Sequence, residues 1–114
     1  MAPSIIVVIR DDPRKTARAV EGLRIALGLS TGSNPLSVVL LDEAPRLLTD
    51  DPEEVVDGEI LEKHLPALKE QEIRFLLSEG APAKFEIDPD FQIREVPPNE
   101  ISSIVAQADR VLVF

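Results

Sequence analysis

Four short stretches of the chain gather β-branched and leucine residues with few polar interruptions: Ser4-Ile5-Ile6-Val7-Val8-Ile9, Leu36-Ser37-Val38-Val39-Leu40-Leu41, Ile73-Arg74-Phe75-Leu76-Leu77 and, at the end, Val111-Leu112-Val113-Phe114. Each is too short for a stable helix and too uniformly apolar for a strand with one face in water, so each reads as a strand covered on both faces. The last run, Arg110 to Phe114, is expected to lie inside the core like the others. Buried strands of this kind belong to parallel sheets, and a parallel sheet needs crossover helices between its strands.

The intervening segments supply those helices. Asp12-Pro13 follows the first strand with a side chain able to accept amide hydrogen bonds and a proline suited to the first helical position, which predicts a helix start there. Ala17, Val20, Leu23, Ala26 and Leu27 then recur at helical spacing, and Gly28 to Pro35 ends the pattern. Gly22 sits inside this helix, where its lack of a side chain suits close packing on the sheet. Arg46-Leu47-Leu48 suggests a short apolar turn. Ile60, Leu61, Leu65 and Leu68 mark a second helix to about Glu72, with a kink or break expected before Pro66. Gln92 to Val96 reads as a short strand, and Ile101, Ile104, Val105 and Ala108 as the inner face of a last helix. Ser78 to Asp90 has no regular period.

Alternation of strands and helices in 114 residues predicts one domain, 1–114, folded as a three-layer α/β/α sandwich on a mostly parallel sheet of about five strands. In such sheets ligands sit beyond the carboxyl ends of the strands. That rule selects Asp11 and Asp12, Asp42 and Glu43, and Ser78, Glu79 and Gly80.

Composition narrows the chemistry. The formal charge of -9 and the scattering of basic residues among acidic ones disfavour a nucleic-acid partner. No apolar run approaches the roughly 20 residues of a membrane span, and no signal sequence is evident, so the expected location is the cytoplasm. Without cysteine the chain has no disulfide and no thiolate metal site.

The candidate constellations are weak. Asp11-Asp12 resembles the Mg²⁺-binding corner of phosphoacceptor receiver domains, but Leu77-Ser78 stands where such a domain needs a third-strand aspartate. The turn Arg10-Asp11-Asp12-Pro13-Arg14 has no glycine and two carboxylates, which argues against a phosphate cradle. His64, the one histidine, lies on the second helix and gives Ser78 no evident base. The acidic run Asp50, Asp51, Glu53 and Glu54 lacks the spacing of a calcium loop. Arg14 and Arg18 are expected to pair with Asp11, Asp12 or Glu21. No metal, cofactor or catalytic set is assigned.

With these elements in place the chain resembles the DsrE/DsrF/DsrH family, which includes the TusB, TusC and TusD sulfur-relay proteins. The likeness rests on the opening strand Ile5 to Ile9, the pattern Ala19-x-x-Gly22-Leu23-Arg24-x-Ala26-Leu27, the segment Val38-Val39-Leu40-Leu41-Asp42 with Leu47-Leu48 after it, and the ending Ala108-Asp109-Arg110-Val111-Leu112-Val113-Phe114. The resemblance implies an oligomeric α/β/α protein whose active members carry a persulfide on a cysteine just after the third strand. Here that region reads Leu76-Leu77-Ser78-Glu79-Gly80-Ala81, with no thiol. A hydroxyl is neither polarisable enough nor acidic enough to carry sulfur.

The expectation is therefore a non-catalytic DsrE-like binding or scaffold subunit, forming a homo-oligomer or joining related DsrE-like subunits. Its contact surface is placed at Ala81 to Phe91, through Phe85, Ile87 and Phe91. The alternative is a small-molecule-binding or metal-binding domain, or a hydrolase, using Asp11, Asp12, Asp42, Ser78 and Glu79 at the strand ends.

Overall fold

A computed structural model describes residues 3–32, 34–49, 55–71 and 73–114. The acidic run from Asp50 to Glu54 and the expected helix end at Glu72 lie outside them. The element order is β1 (Ile5–Ile9), α1 (Arg18–Ser30), β2 (Leu36–Leu40), a 3₁₀ turn (Ala44–Leu48), α2 (Gly58–Glu70), β3 (Arg74–Ser78), α3 (Ala81–Phe85), β4 (Gln92–Val96), α4 (Pro98–Gln107) and β5 (Arg110–Val113).

All strand pairs are parallel, and the five strands lie in the order β4-β3-β2-β1-β5. The chain steps from β1 out to the β4 edge, and α4 then carries it back across the sheet to pair β5 with β1. Period-two alternation along the strands gives the sheet two different faces. Val7, Ile9, Val38, Leu40, Phe75 and Leu77 meet Ala19, Val20, Leu23 and Ala26 of α1 and Leu61 and Leu68 of α2. On the opposite face Ile6, Val8, Val39, Leu76 and Val96 meet Ile101 of α4, with Ile104, Val105 and Ala108 packed beside them. Burying a Leu, Ile or Phe side chain contributes about 1.5–3 kcal/mol, so the first face carries most of the stability.

Gly22 shows why α1 lies so close to the sheet. A Cβ there would stand 3.0 Å from Ile9 Cδ1 and 3.1 Å from Phe114 Cγ. A side chain there would require the Ile9 and Phe114 side chains to give way by a few tenths of an ångström.

Several expectations need correction. The closing strand is not interior. β5 is an edge strand whose four residues are all exposed, with Val111 at 37%, Leu112 at 39% and Val113 at 49%. It has the composition of a covered strand, but α4 and α1 reach over β1 and stop short of it. Helix α1 starts at Arg18 and not at Asp12-Pro13, because Asp12 closes its own turn: its side chain accepts from the Arg14 amide at 2.9 Å and its carbonyl from the Lys15 amide at 3.0 Å. Helix α2 runs through Pro66 without a break. Ile60, read as part of its inner face, is 42% exposed. The segment after β3, without a period in the sequence, contains the short helix α3.

Phe85 and Phe91, expected at a contact surface, are instead buried in the main core cluster, with 8% and 6% of their surface exposed, and offer a partner little area. The segment folds back on its own chain. Thr49 and Ile87 form an antiparallel bridge, the Asp88 amide donates to the Leu48 carbonyl at 2.9 Å, and Phe91 packs edge-on against Phe75 with ring centroids 5.6 Å apart. Ile87 is half-buried beside them and lines a shallow depression with Pro82, Phe91 and Ile93.

Candidate functional site

The loops leaving β1, β2 and β3 meet at one end of the sheet. The β1 loop carries Asp11 and Asp12, the β2 loop Asp42 and Glu43, and the β3 turn Ser78, Glu79 and Gly80. Parallel register brings these loops side by side, since Ile9 pairs with Leu40 and Leu40 with Leu77.

Arginines organise this rim. Arg14 holds Asp12 with two side-chain hydrogen bonds, from Nε to Oδ1 at 3.1 Å and from Nη2 to Oδ2 at 2.9 Å. The same Nη2 lies 3.8 Å from Glu43 Oε2, and Arg46 Nε donates to that oxygen at 2.7 Å. The chain Asp12–Arg14–Glu43–Arg46 thus bridges the ends of β1 and β2. Hydrogen bonding from Arg14, opposed by desolvation, holds the Asp12 carboxyl down at about 2. Arg46 lowers Glu43 in the same way. Arg46 also lies 5.3 Å above the Phe85 ring, and Lys84 Nζ 5.0 Å from it, which ties the network to α3.

The sequence-selected residues separate into groups. Asp12 and Glu43 are brought together. Asp11 turns away to Arg18, with Nε 3.3 Å from Oδ2, and Arg18 Nη2 reaches the Val113 carbonyl at 3.5 Å, so this pair belongs to the β5 edge. The expected pairing of Arg14 and Arg18 with the neighbouring aspartates is thus present. Asp42 is exposed and has a left-handed backbone, with φ 54°, which side chains other than Asn and Asp rarely adopt. Ser78 is half-buried at the end of β3, opposite Val96. Glu79 is exposed, and the turn is fixed by Gly80, whose φ of 84° suits glycine and whose amide donates to Glu95 Oε1 at 2.9 Å. His64 lies in the middle of α2, and no hydrogen bond joins it to Ser78. Arg46, Lys84 and Glu95 were not singled out by sequence reasoning. The three-residue spacing of Glu43 and Arg46 was the one local signal available.

Carboxylates locked to guanidinium groups are poor general bases, because their low pKa leaves little drive to take a proton. Among the described residues no group of three or more His, Asp or Glu side chains is placed to hold a metal ion. At the rim Asp11, Asp12 and Glu43 are paired with arginines while Asp42 and Glu79 are exposed, an arrangement suited to fixing loops or meeting a polar partner.

A sequence profile of the DsrE/DsrF-like family matches residues 4–114, nearly the full chain. The chain belongs to the DsrE/DsrF-like family. The DsrE-like fold is seen again in the crystal structure of the ychN protein from E. coli, which superposes with a TM-score of 0.73 over 100% of both chains at 20% sequence identity. Among curated proteins none matches the chain by sequence. The chain has a five-stranded parallel sheet and carries Ser78-Glu79-Gly80 at the end of β3. No helix among the described residues is long and apolar enough to cross a membrane.

Proposed function

We propose that this DsrE-like chain is a non-catalytic binding or scaffold subunit, related to the cytoplasmic sulfur-relay proteins of its family and unable to carry a persulfide itself. It associates with copies of itself or with related DsrE-like subunits. The observation that supports this most is the turn after β3: Ser78-Glu79-Gly80 keeps an ordered backbone, clamped by Glu95, at the position where the resemblance implies a sulfur-bearing thiol. A serine hydroxyl there cannot accept and pass on sulfur at neutral pH, because persulfide chemistry needs a thiolate. At the neighbouring strand ends Asp12 and Glu43 are held by Arg14 and Arg46.

A second reading, a small-molecule-binding or metal-binding domain or a hydrolase using Asp11, Asp12, Asp42, Ser78 and Glu79, draws on the left-handed Asp42 at a strand end, since strained backbone collects at ligand sites. Native mass spectrometry of the purified chain separates the two. An integer multiple of the 12.5 kDa chain mass with no adduct is expected. A stoichiometric metal or organic adduct that disappears in Asp12→Asn overturns the scaffold reading and selects the second.

A further inference from the structure

Four large hydrophobic side chains are exposed among the described residues, and three of them, Val111, Leu112 and Val113, are consecutive on β5. Among the described residues no strand pairs with the outer side of their backbone. The Arg110 and Phe114 amides donate inwards, to the carbonyls of Ser4 and Val8 at 3.0 and 2.8 Å, and the Phe114 carbonyl accepts from Arg10 at 2.8 Å. Because successive residues alternate, Leu112 also faces β1, and the amides and carbonyls of Val111 and Val113 point outwards.

This pattern is self-complementary. A two-fold axis through Leu112 places Val111 of one copy opposite Val113 of the other, and the reverse, so that four outward N–H···O=C bonds form in antiparallel register. The Val113 carbonyl meets Arg18 at 3.5 Å, the outer limit of a hydrogen bond, and its second lone pair remains for a strand donor. Side chains match as well. Leu112 meets its own copy on the α1 face, and two Val–Val pairs form on the α4 face, which are favourable cross-strand combinations. The charge fits too. In a chain of formal charge -9, the surroundings of β5 hold Arg10, Arg18 and Arg110 against Asp11 and Asp109. Antiparallel pairing runs the Asp109 end of each β5 towards the end of the other that carries Arg10 and Arg18. Long-range repulsion between the copies is screened beyond roughly 8 Å at physiological salt.

The geometry points to β5 as a self-association edge that docks the β5 of a second copy and joins two five-stranded sheets into one. The inference rests on the reading of the chain as a self-associating subunit and names its surface.

The absence of cysteine makes the test clean. In the proposed register the two copies of residue 112 form a non-hydrogen-bonded pair with Cα atoms about 4.5 Å apart, within the roughly 4.4–6.8 Å that a disulfide spans. The two copies of residue 111 stand roughly 8 Å apart, beyond that range. Under mild oxidation Leu112→Cys is expected to give a covalent dimer as the main product, with at least tenfold less from Val111→Cys and from Ile60→Cys, the other exposed apolar site. In light scattering Leu112→Lys is expected to lower the particle mass at least twofold. No cross-link at 112, equal cross-linking at 111, or an unchanged mass for Leu112→Lys overturns the edge proposal. An oligomer that persists through those results leaves the subunit reading standing. An adduct lost in Asp12→Asn removes the scaffold reading while a cross-link at 112 keeps the edge.

Discussion

The two edges of the sheet are both single parallel strands open to water on one side, yet they are written in opposite chemistry. β4 presents Gln92, Arg94 and Glu95 as exposed residues, with Val96 alone buried. Charged side chains along an edge are a common device against addition of a further strand. β5 presents Arg110 and then Val111, Leu112 and Val113, all exposed. The contrast teaches that an apolar strand reports what will cover it and not whether its own chain does so. β4 is finished as a surface, and β5 is left as one half of something.

Four substitutions sharpen the contrast. Phe75→Ala lies under the β4 side, where Phe75 is fully buried and meets the Phe91 ring edge-on. It is expected to cost about 3–5 kcal/mol in urea unfolding, the range for truncating a core aromatic. Gly22→Ala tests the support of the β5 side. The new methyl meets Ile9 and the Phe114 ring at about 3 Å, so a loss of about 1–3 kcal/mol from overpacking is expected, reduced by the roughly 1 kcal/mol helical advantage of Ala over Gly. Leu112→Lys, measured at concentrations where the chain is dissociated, is expected to change stability by about 1 kcal/mol or less, since Leu112 is already 39% exposed at the sheet edge. A loss as large as that of Phe75→Ala would mean that β5 belongs to the core after all. Arg94→Ala on the β4 edge is expected to stay within about 0.5 kcal/mol and to leave the particle mass unchanged.

A pH titration addresses the rim between the two edges. Asp12 has a folded value near 2, below that of an unfolded aspartate near 4. Its contribution to stability is therefore complete above about pH 4 and is lost as the pH falls through about 2. Acid unfolding of Asp12→Asn is expected to be flatter in that window, with the difference vanishing at the acid end. A curve parallel to that of the unsubstituted chain would show that Arg14 does not hold Asp12 in solution.

Much of the fold was legible because period and composition speak directly. β1 and β4 fall where their residues predicted, Gln92 to Val96 to the residue, and the α4 stripe is on its inner face. Legibility failed where one signal has two causes. Asp12-Pro13 is good chemistry for a helix start and equally for the tight turn that it forms. Gly80 and Pro82 masked α3, although glycine before a helix and proline in its first turn are compatible with one. The exposure of β5 was hidden because a strand covered by its own helices and an apolar edge strand share the same residues. At the rim, the pairing of neighbouring arginines and aspartates was readable from spacing. The link from Asp12 through Arg14 to Glu43 was not, since it depends on which strands are adjacent.

The crossing of α4 from the β4 edge to the far side of β1 has a kinetic meaning. Ser4 and Asp109 are joined by hydrogen bonds across a separation of 105 residues, so the outer flank of β1 stays open until nearly the whole chain has condensed. Contacts so remote in sequence form slowly, and meanwhile Ile5 to Ile9 offers an unguarded template to any other chain. Refolding yield should accordingly fall with rising protein concentration, more steeply than the stability of the finished domain would suggest.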